Sequence, residues 1–230
     1  MATLTALLLA CAARTEAQRA ATYTIAFAAD GRSATVTASV PVRQGVLTIA
    51  TGGGIDHLPS QWATFIRDLR ATSASGVATV PQFNQPGGWI IPGMPTGTVD
   101  LTYAVDLSYA HSPWPPGNEQ AGLWSDNALY TITKPLFIAG APSSALVTVV
   151  VPDGWRVTSP WERFADRRNT YRVQSVEDLI DNSIVVGLHS ERMNRHVAPS
   201  VPYRFAWYAS ALLMTMSARP QRTVSRSNRS

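Results

Sequence analysis

Histidine is the residue type in this chain most able to do chemistry, and it occurs four times, at His57, His111, His189 and His196. A hydrolytic zinc site of the thermolysin kind needs two histidines at i and i+4 on one helix face, with a glutamate between them as general base. No pair here has that spacing. His189 and Glu191 share a strand face and His196 follows seven residues after His189, but as a metal trio this reads as chance surface polarity at a strand end. Gly52-Gly53-Gly54 is not a phosphate loop, because no Gly-Lys-Ser/Thr follows to reach phosphate and magnesium. Serine, histidine and aspartate are all present, but no G-x-S-x-G elbow presents a nucleophile. Asp178 and Asp181 lie three apart on a short helix and read as terminal-turn residues, since nothing nearby would split their pKa values into an acid and a base. The residues therefore point to no catalytic group, no metal site and no cofactor.

Two tryptophans remain as candidates for binding. Trp114 and Trp124 flank a loop rich in proline, glycine, asparagine and glutamate, where an exposed ring would stack on a sugar or grip a peptide side chain. Packing against a sheet is the commoner fate of tryptophan, and Trp155 and Trp161 are assigned to it outright.

The elements that must position these residues are mostly strands. Alternating or β-branched runs recur at Thr22–Phe27, Ala34–Val42, Val46–Ala50, Val99–Leu107, Leu129–Thr133, Ala145–Val151, Tyr171–Val173 and Ile184–Val186. Clusters of glycine, proline and aspartate separate them. This spacing predicts a mostly β, antiparallel sandwich-like domain with two short helices. One helix is expected over Ser60–Leu69, where Trp62, Phe65, Ile66 and Leu69 fall at helical spacing. The other is Val176–Asp181, opened by Ser175 as a cap with Asp178 in the usual Glu/Gln place and stopped near Asn182. Pro81–Pro95, with four prolines and three glycines, is expected to be loop with one short edge strand.

Charge excludes a nucleic-acid role. The net +4 comes from Arg219, Arg222, Arg226 and Arg229 in the last dozen residues; without them fifteen basic residues face fifteen acidic ones. A solvated basic tail is not a basic patch on a folded face. At the other end, Leu4–Ala13 is an apolar run of signal-peptide length followed by the small-x-small pattern Thr15-Glu16-Ala17, although no basic residue precedes it. Ten residues are too few to span a bilayer. Export to the periplasm or cell surface is expected, with residues 1–17 removed. Leu8-Leu9-Ala10-Cys11 also resembles a lipobox, which would make Cys11 a lipidated N-terminus and the chain's only membrane attachment. The folded domain is expected over 22–198. Residues 199–230 hold an atypical apolar segment, Val201–Ala218, and then a basic tail expected to be disordered.

The most specific stretch is Pro152–Gly187. Pro152-Asp153-Gly154-Trp155 makes a turn, Thr170–Val173 a strand, and Asp178-Leu179-Ile180-Asp181-Asn182 a helix end running into Val185 and Gly187. This order resembles the end of the N-terminal β domain of glycyl aminopeptidase-like metallopeptidases (peptidase family M sixty-one). Upstream, Tyr23–Ile25, Asp30-Gly31-Arg32 and Val36–Val42 are similar to that domain's opening hairpin. Leu58 to Phe65 is similar to its central turn-and-helix segment, and Trp89–Ile91, Val99–Val105 and Leu136-Phe137-Ile138 to later strands. The resemblance spans Thr22 to His189. It implies a non-catalytic domain that packs beside a zinc domain marked by H-E-x-x-H, a motif these 230 residues lack. The expected function is thus that of an exported peptidase's N-terminal domain, present as a fragment or degenerate copy, whose partner is a missing or separately encoded peptidase domain. The alternative is a stand-alone periplasmic or surface module that binds peptide or carbohydrate.

Overall fold

Strict alternation of buried and exposed residues builds the first long strands. In Ala21–Phe27 the side chains of Tyr23, Ile25 and Phe27 are buried while Thr22 and Thr24 face out. The computed structural model describes residues 20–52, 58–84, 87–111, 121–141, 143–194 and 203–207. In chain order the strands begin with β1 (Ala21–Phe27), β2 (Ser33–Val42) and β3 (Val46–Ile49). A 3-10 turn at Gln61–Phe65 leads into β4 (Ile66–Ser73), followed by β5 (Ala78–Thr79), β6 (Gln82–Asn84), β7 (Gly88–Ile90) and β8 (Gly97–Asp106). Another such turn, Ser108–His111, precedes β9 (Gly122–Ser125) and β10 (Ala128–Ile132), and a third, Lys134–Leu136, precedes β11 (Ile138–Ala139). Then come β12 (Ala145–Val150), β13 (Arg156–Thr158), β14 (Glu162–Arg163) and β15 (Thr170–Val173). The last elements are α1 (Val176–Ile180), β16 (Ser183–Gly187), β17 (Ser190–Asn194) and β18 (Tyr203–Trp207).

These strands form an eight-stranded sheet, β14-β15-β12-β1-β2-β8-β4-β5, and two four-stranded sheets, β13-β16-β10-β9 and β11-β3-β7-β6. Pairing is antiparallel except between β1 and β12, which run parallel. The mostly β, sandwich-like class read from the alternation is the class observed.

Tyrosines of the large sheet tie it to the facing elements. Tyr23 on β1 donates its hydroxyl to Ile138 O at 3.0 Å, and Tyr171 on β15 donates to Val157 O at 3.4 Å. Tyr103 on β8 donates to Leu136 O at 2.9 Å and accepts from Ile138 N at 3.2 Å. A tyrosine can fill a core with its ring and still satisfy a backbone group on the far side, which phenylalanine cannot. Burial pushes the Tyr23 and Tyr103 phenols well above their ordinary value.

Two expectations need correction. The helix expected over Ser60–Leu69 is a 3-10 turn that stops at Phe65, and Ile66 starts a strand. The turn already buries Trp62 and Phe65, since residues three apart eclipse in a 3-10 helix. Ile66 then pairs with Val105, so backbone bonds along β8 replace those of a helix too short to hold itself. Within Pro81–Pro95 there are two strands, β6 and β7, paired with each other. Trp124 lies in β9, beside the Asp126-Asn127 turn, where both residues take positive φ as a tight hairpin requires. The expected helix at Val176 does form. Ser175 Oγ accepts from Asp178 N at 3.1 Å, and Asn182 Nδ2 donates back to Asp178 O at 2.6 Å. Beyond Pro199, Tyr203–Trp207 pairs with Ser190–Asn194 as a two-stranded sheet separate from the other three.

Candidate functional site

Ile66 to Arg70 run consecutively along the wall of a cleft of about 520 Å³. A regular strand would send alternate side chains to opposite faces. Here the pairing of β4 with β8 slips between Arg67 and Arg70, and Asp68 takes φ 53°, which aspartate tolerates better than most residues. The bulge is what brings Arg67, Asp68, Leu69 and Arg70 to one opening. Across from them lie Val80 and Pro81, the link between β5 and β6, with Phe83 and Trp89. Phe83 meets Trp89 edge-on at 5.7 Å. Arg67 is fixed by Ile66 O at 3.2 Å, by Thr64 O and by Asp106 Oδ2 at 3.4 Å. Arg70 and Asp68 form no ion pair among the described residues. Sequence reasoning missed this site because it placed Ser60–Leu69 on a helix; the only local signal is an aspartate between two arginines.

The residues singled out from the sequence are scattered. Trp124 is half-buried, stacked on His111 at 4.9 Å and 24°, and tilted against Trp155 at 5.9 Å. Its ring lies on the backbone of Gly31, where an added Cβ would come within 2.1 Å of the indole, so the Asp30-Gly31-Arg32 turn is also a seat for this tryptophan. Trp155 and Trp161 are buried, and Trp161 Nε1 donates to Asp178 O at 2.9 Å. His189 is not a surface residue. It is buried, with Nε2 2.7 Å from Thr158 Oγ1 and Nδ1 3.2 Å from Gly187 O, so both ring nitrogens are engaged in packing β16 to β13. Asp181, at the C-terminal cap of α1, pairs with Lys134 at 2.8 Å, in keeping with a structural role. Gly52 is held between two side chains of the 3-10 turn: its N–H donates to Gln61 Oε1, and its carbonyl accepts from Trp62 Nε1, each at 2.8 Å. Cys11, His57, Trp114 and His196 lie outside the described residues. Among the described residues no three of histidine, cysteine, aspartate and glutamate gather as metal ligands, and no helix is long and apolar enough to cross a membrane.

Residues 22–188 match the family described as the Peptidase M61 N-terminal domain. The chain belongs to that family. The match runs from β1 to one residue past the end of β16, and so takes in the strands of the three larger sheets. Among solved structures it is similar to an aminopeptidase N family protein from Idiomarina loihiensis, with TM-score 0.60 and 14% identity over 81% of this chain. The aligned part is 32% of that protein, so the chain spans about a third of its length. A second similar structure is an M1 zinc metallopeptidase mutant from Deinococcus radiodurans bound to a Tyr-Ser-Ala substrate, with TM-score 0.42 and 14% identity over 89% of this chain and 50% of that one. At this identity the first likeness shows a shared fold and nothing finer. No curated protein matches the chain.

Proposed function

We propose that this chain is the non-catalytic N-terminal β domain of an exported glycyl aminopeptidase-like metallopeptidase, carried as a separated piece or a degenerate copy. The observation behind this reading is the M61 N-terminal match over residues 22–188 in a sequence without H-E-x-x-H. Without two histidines and a glutamate on one helix face, nothing here would activate a zinc-bound water. The domain's task is then to pack beside a zinc domain and form part of its substrate cleft. A separately encoded peptidase domain is then the partner. Leu188, at the boundary of the match, is 51% exposed, a large apolar side chain left open where a further domain would adjoin.

Two results are expected. The purified chain releases nothing from glycyl or alanyl substrates and holds no stoichiometric zinc; hydrolysis abolished by a chelator, or one tightly bound zinc per chain in elemental analysis, overturns the reading. In the native host, Leu4–Ala17 directs export, leaving a mature N-terminus near Gln18 or a lipidated Cys11. N-terminal sequencing and intact mass of the exported protein test this, and protein that keeps Met1–Ala17 in the cytoplasm would refute it.

A further inference from the structure

We propose that the cleft between the β4 bulge and the β5–β6 link binds an extended peptide that carries an apolar side chain next to a carboxylate. The inference does not depend on whether a zinc domain is attached. It rests on what three sides of the cleft offer.

The first side is a strand edge. β6 is the outermost strand of its sheet, and Gln82, Phe83 and Asn84 are all exposed. An outermost strand presents backbone donors and acceptors to a further extended chain, and peptide recognition by strand addition uses such edges. The cleft lies where β5, paired with β4 in the large sheet, passes through Val80 and Pro81 into β6 of another sheet. A peptide laid along β6 would therefore present alternate side chains to this opening.

The second side is apolar. Phe83 is 42% exposed and Val80 69% exposed, with Leu69 and the buried Trp89 beside them. Phe83 is anchored edge-on to Trp89, so it is held in place for contact at little further cost in ordering.

The third side is charged, and its asymmetry chooses the ligand. Arg67 is committed to Asp106 and to two backbone carbonyls. The Arg70 side chain has no hydrogen bond or ion pair among the described residues, and its guanidinium is the group open to an incoming carboxylate. Asp68, also on the wall, disfavours a second acid beside the first. The carboxylate is supplied by an acidic side chain or by a free peptide C-terminus.

The test uses the full chain and fluorescently labelled heptapeptides read by anisotropy. One probe carries Phe-Glu with an amidated C-terminus, a second carries Phe with a free terminal carboxylate, and a third carries Phe-Lys with an amide. Saturable binding of the first or the second identifies the source of the carboxylate. Arg70→Glu is expected to weaken that probe about tenfold or more and to strengthen the Phe-Lys probe, and Arg70→Gln to weaken it without the gain. Phe83→Ser and N-methylation of alternate probe amides are each expected to abolish binding. Because Arg70 is exposed, its variants should melt with the parent, which separates lost binding from lost fold. No saturable binding up to about 1 mM, equal binding of the Phe-Glu and Phe-Lys probes, or indifference to Arg70→Glu overturns the proposal.

Discussion

Gly187→Ala is expected to lower the melting temperature by roughly 10 °C, about 3–4 kcal/mol for a domain of this size. A Cβ at this position would lie 2.4 Å from Asn127 O, 2.5 Å from Ala128 Cα and 2.7 Å from Ala128 Cβ. Two of those atoms are backbone, one of the Asn127 turn and one of Ala128 in the neighbouring strand, and backbone has no rotamer to give way. β16 cannot retreat either, because Gly187 is opposite Ala128 of β10 on one side and Arg156 of β13 on the other. The residue also sits at φ +137°, outside the range alanine prefers. Gly76→Ala is the control. Gly76 has φ +81° but nothing within 4 Å of the added carbon, so it reports backbone strain alone, about 1 kcal/mol. Thermal unfolding of the two variants separates the terms. If both lose the same amount, β16 is not clamped between β10 and β13, and its assignment as the centre of the second sheet fails.

The second large effect is expected from Trp62→Ala, with a loss of about 3–5 kcal/mol. Trp62 is 1% exposed and begins a chain of rings, with Phe65 at 6.0 Å and then Tyr109 at 4.9 Å from Phe65. Alanine removes that contact and leaves a cavity between the 3-10 turn and the sheet. It also strips the carbonyl of Gly52 of its 2.8 Å donor. Trp62→Phe keeps most of the ring volume and loses only the hydrogen bond, so it should cost about 1–2 kcal/mol. Equal losses in the two variants would mean that the Gly52 bond, not ring burial, holds this turn. A loss below about 1 kcal/mol in Trp62→Ala would show that the turn is not part of the core.

The long strands β1, β2, β8 and β12 were legible because a strand with one buried face must alternate, and that constraint is local. The Ser175 cap and the Asp153-Gly154 turn were legible for the same reason. A cap or turn satisfies backbone groups a few residues away, so its residue types are set by neighbours in sequence. The M61-type signature at Pro152–Gly187 is built from such local devices, which is why it could be recognised without a structure.

Other features follow from pairings between distant residues. β1 lies parallel to β12, with Ala21 beside Ala145, and nothing in either segment names its partner. Trp62, Phe65, Ile66 and Leu69 satisfy a helical period, yet the edge of β8 draws Ile66 into a sheet, and backbone pairing outweighs propensity in so short a segment. His189 looked like a surface group until β13 placed Thr158 beside it. The cleft depends on these distant pairings more than any other feature. Its wall is a bulge in β4 and its far side is a sheet-to-sheet crossing at Pro81, so Arg70 and Phe83 meet one opening only once two separate sheets are in place. The sequence by itself determined which segments are strands and caps, because those choices are made over a few residues. Tertiary structure alone decided which strand lies beside which, because that choice is made by packing across the core.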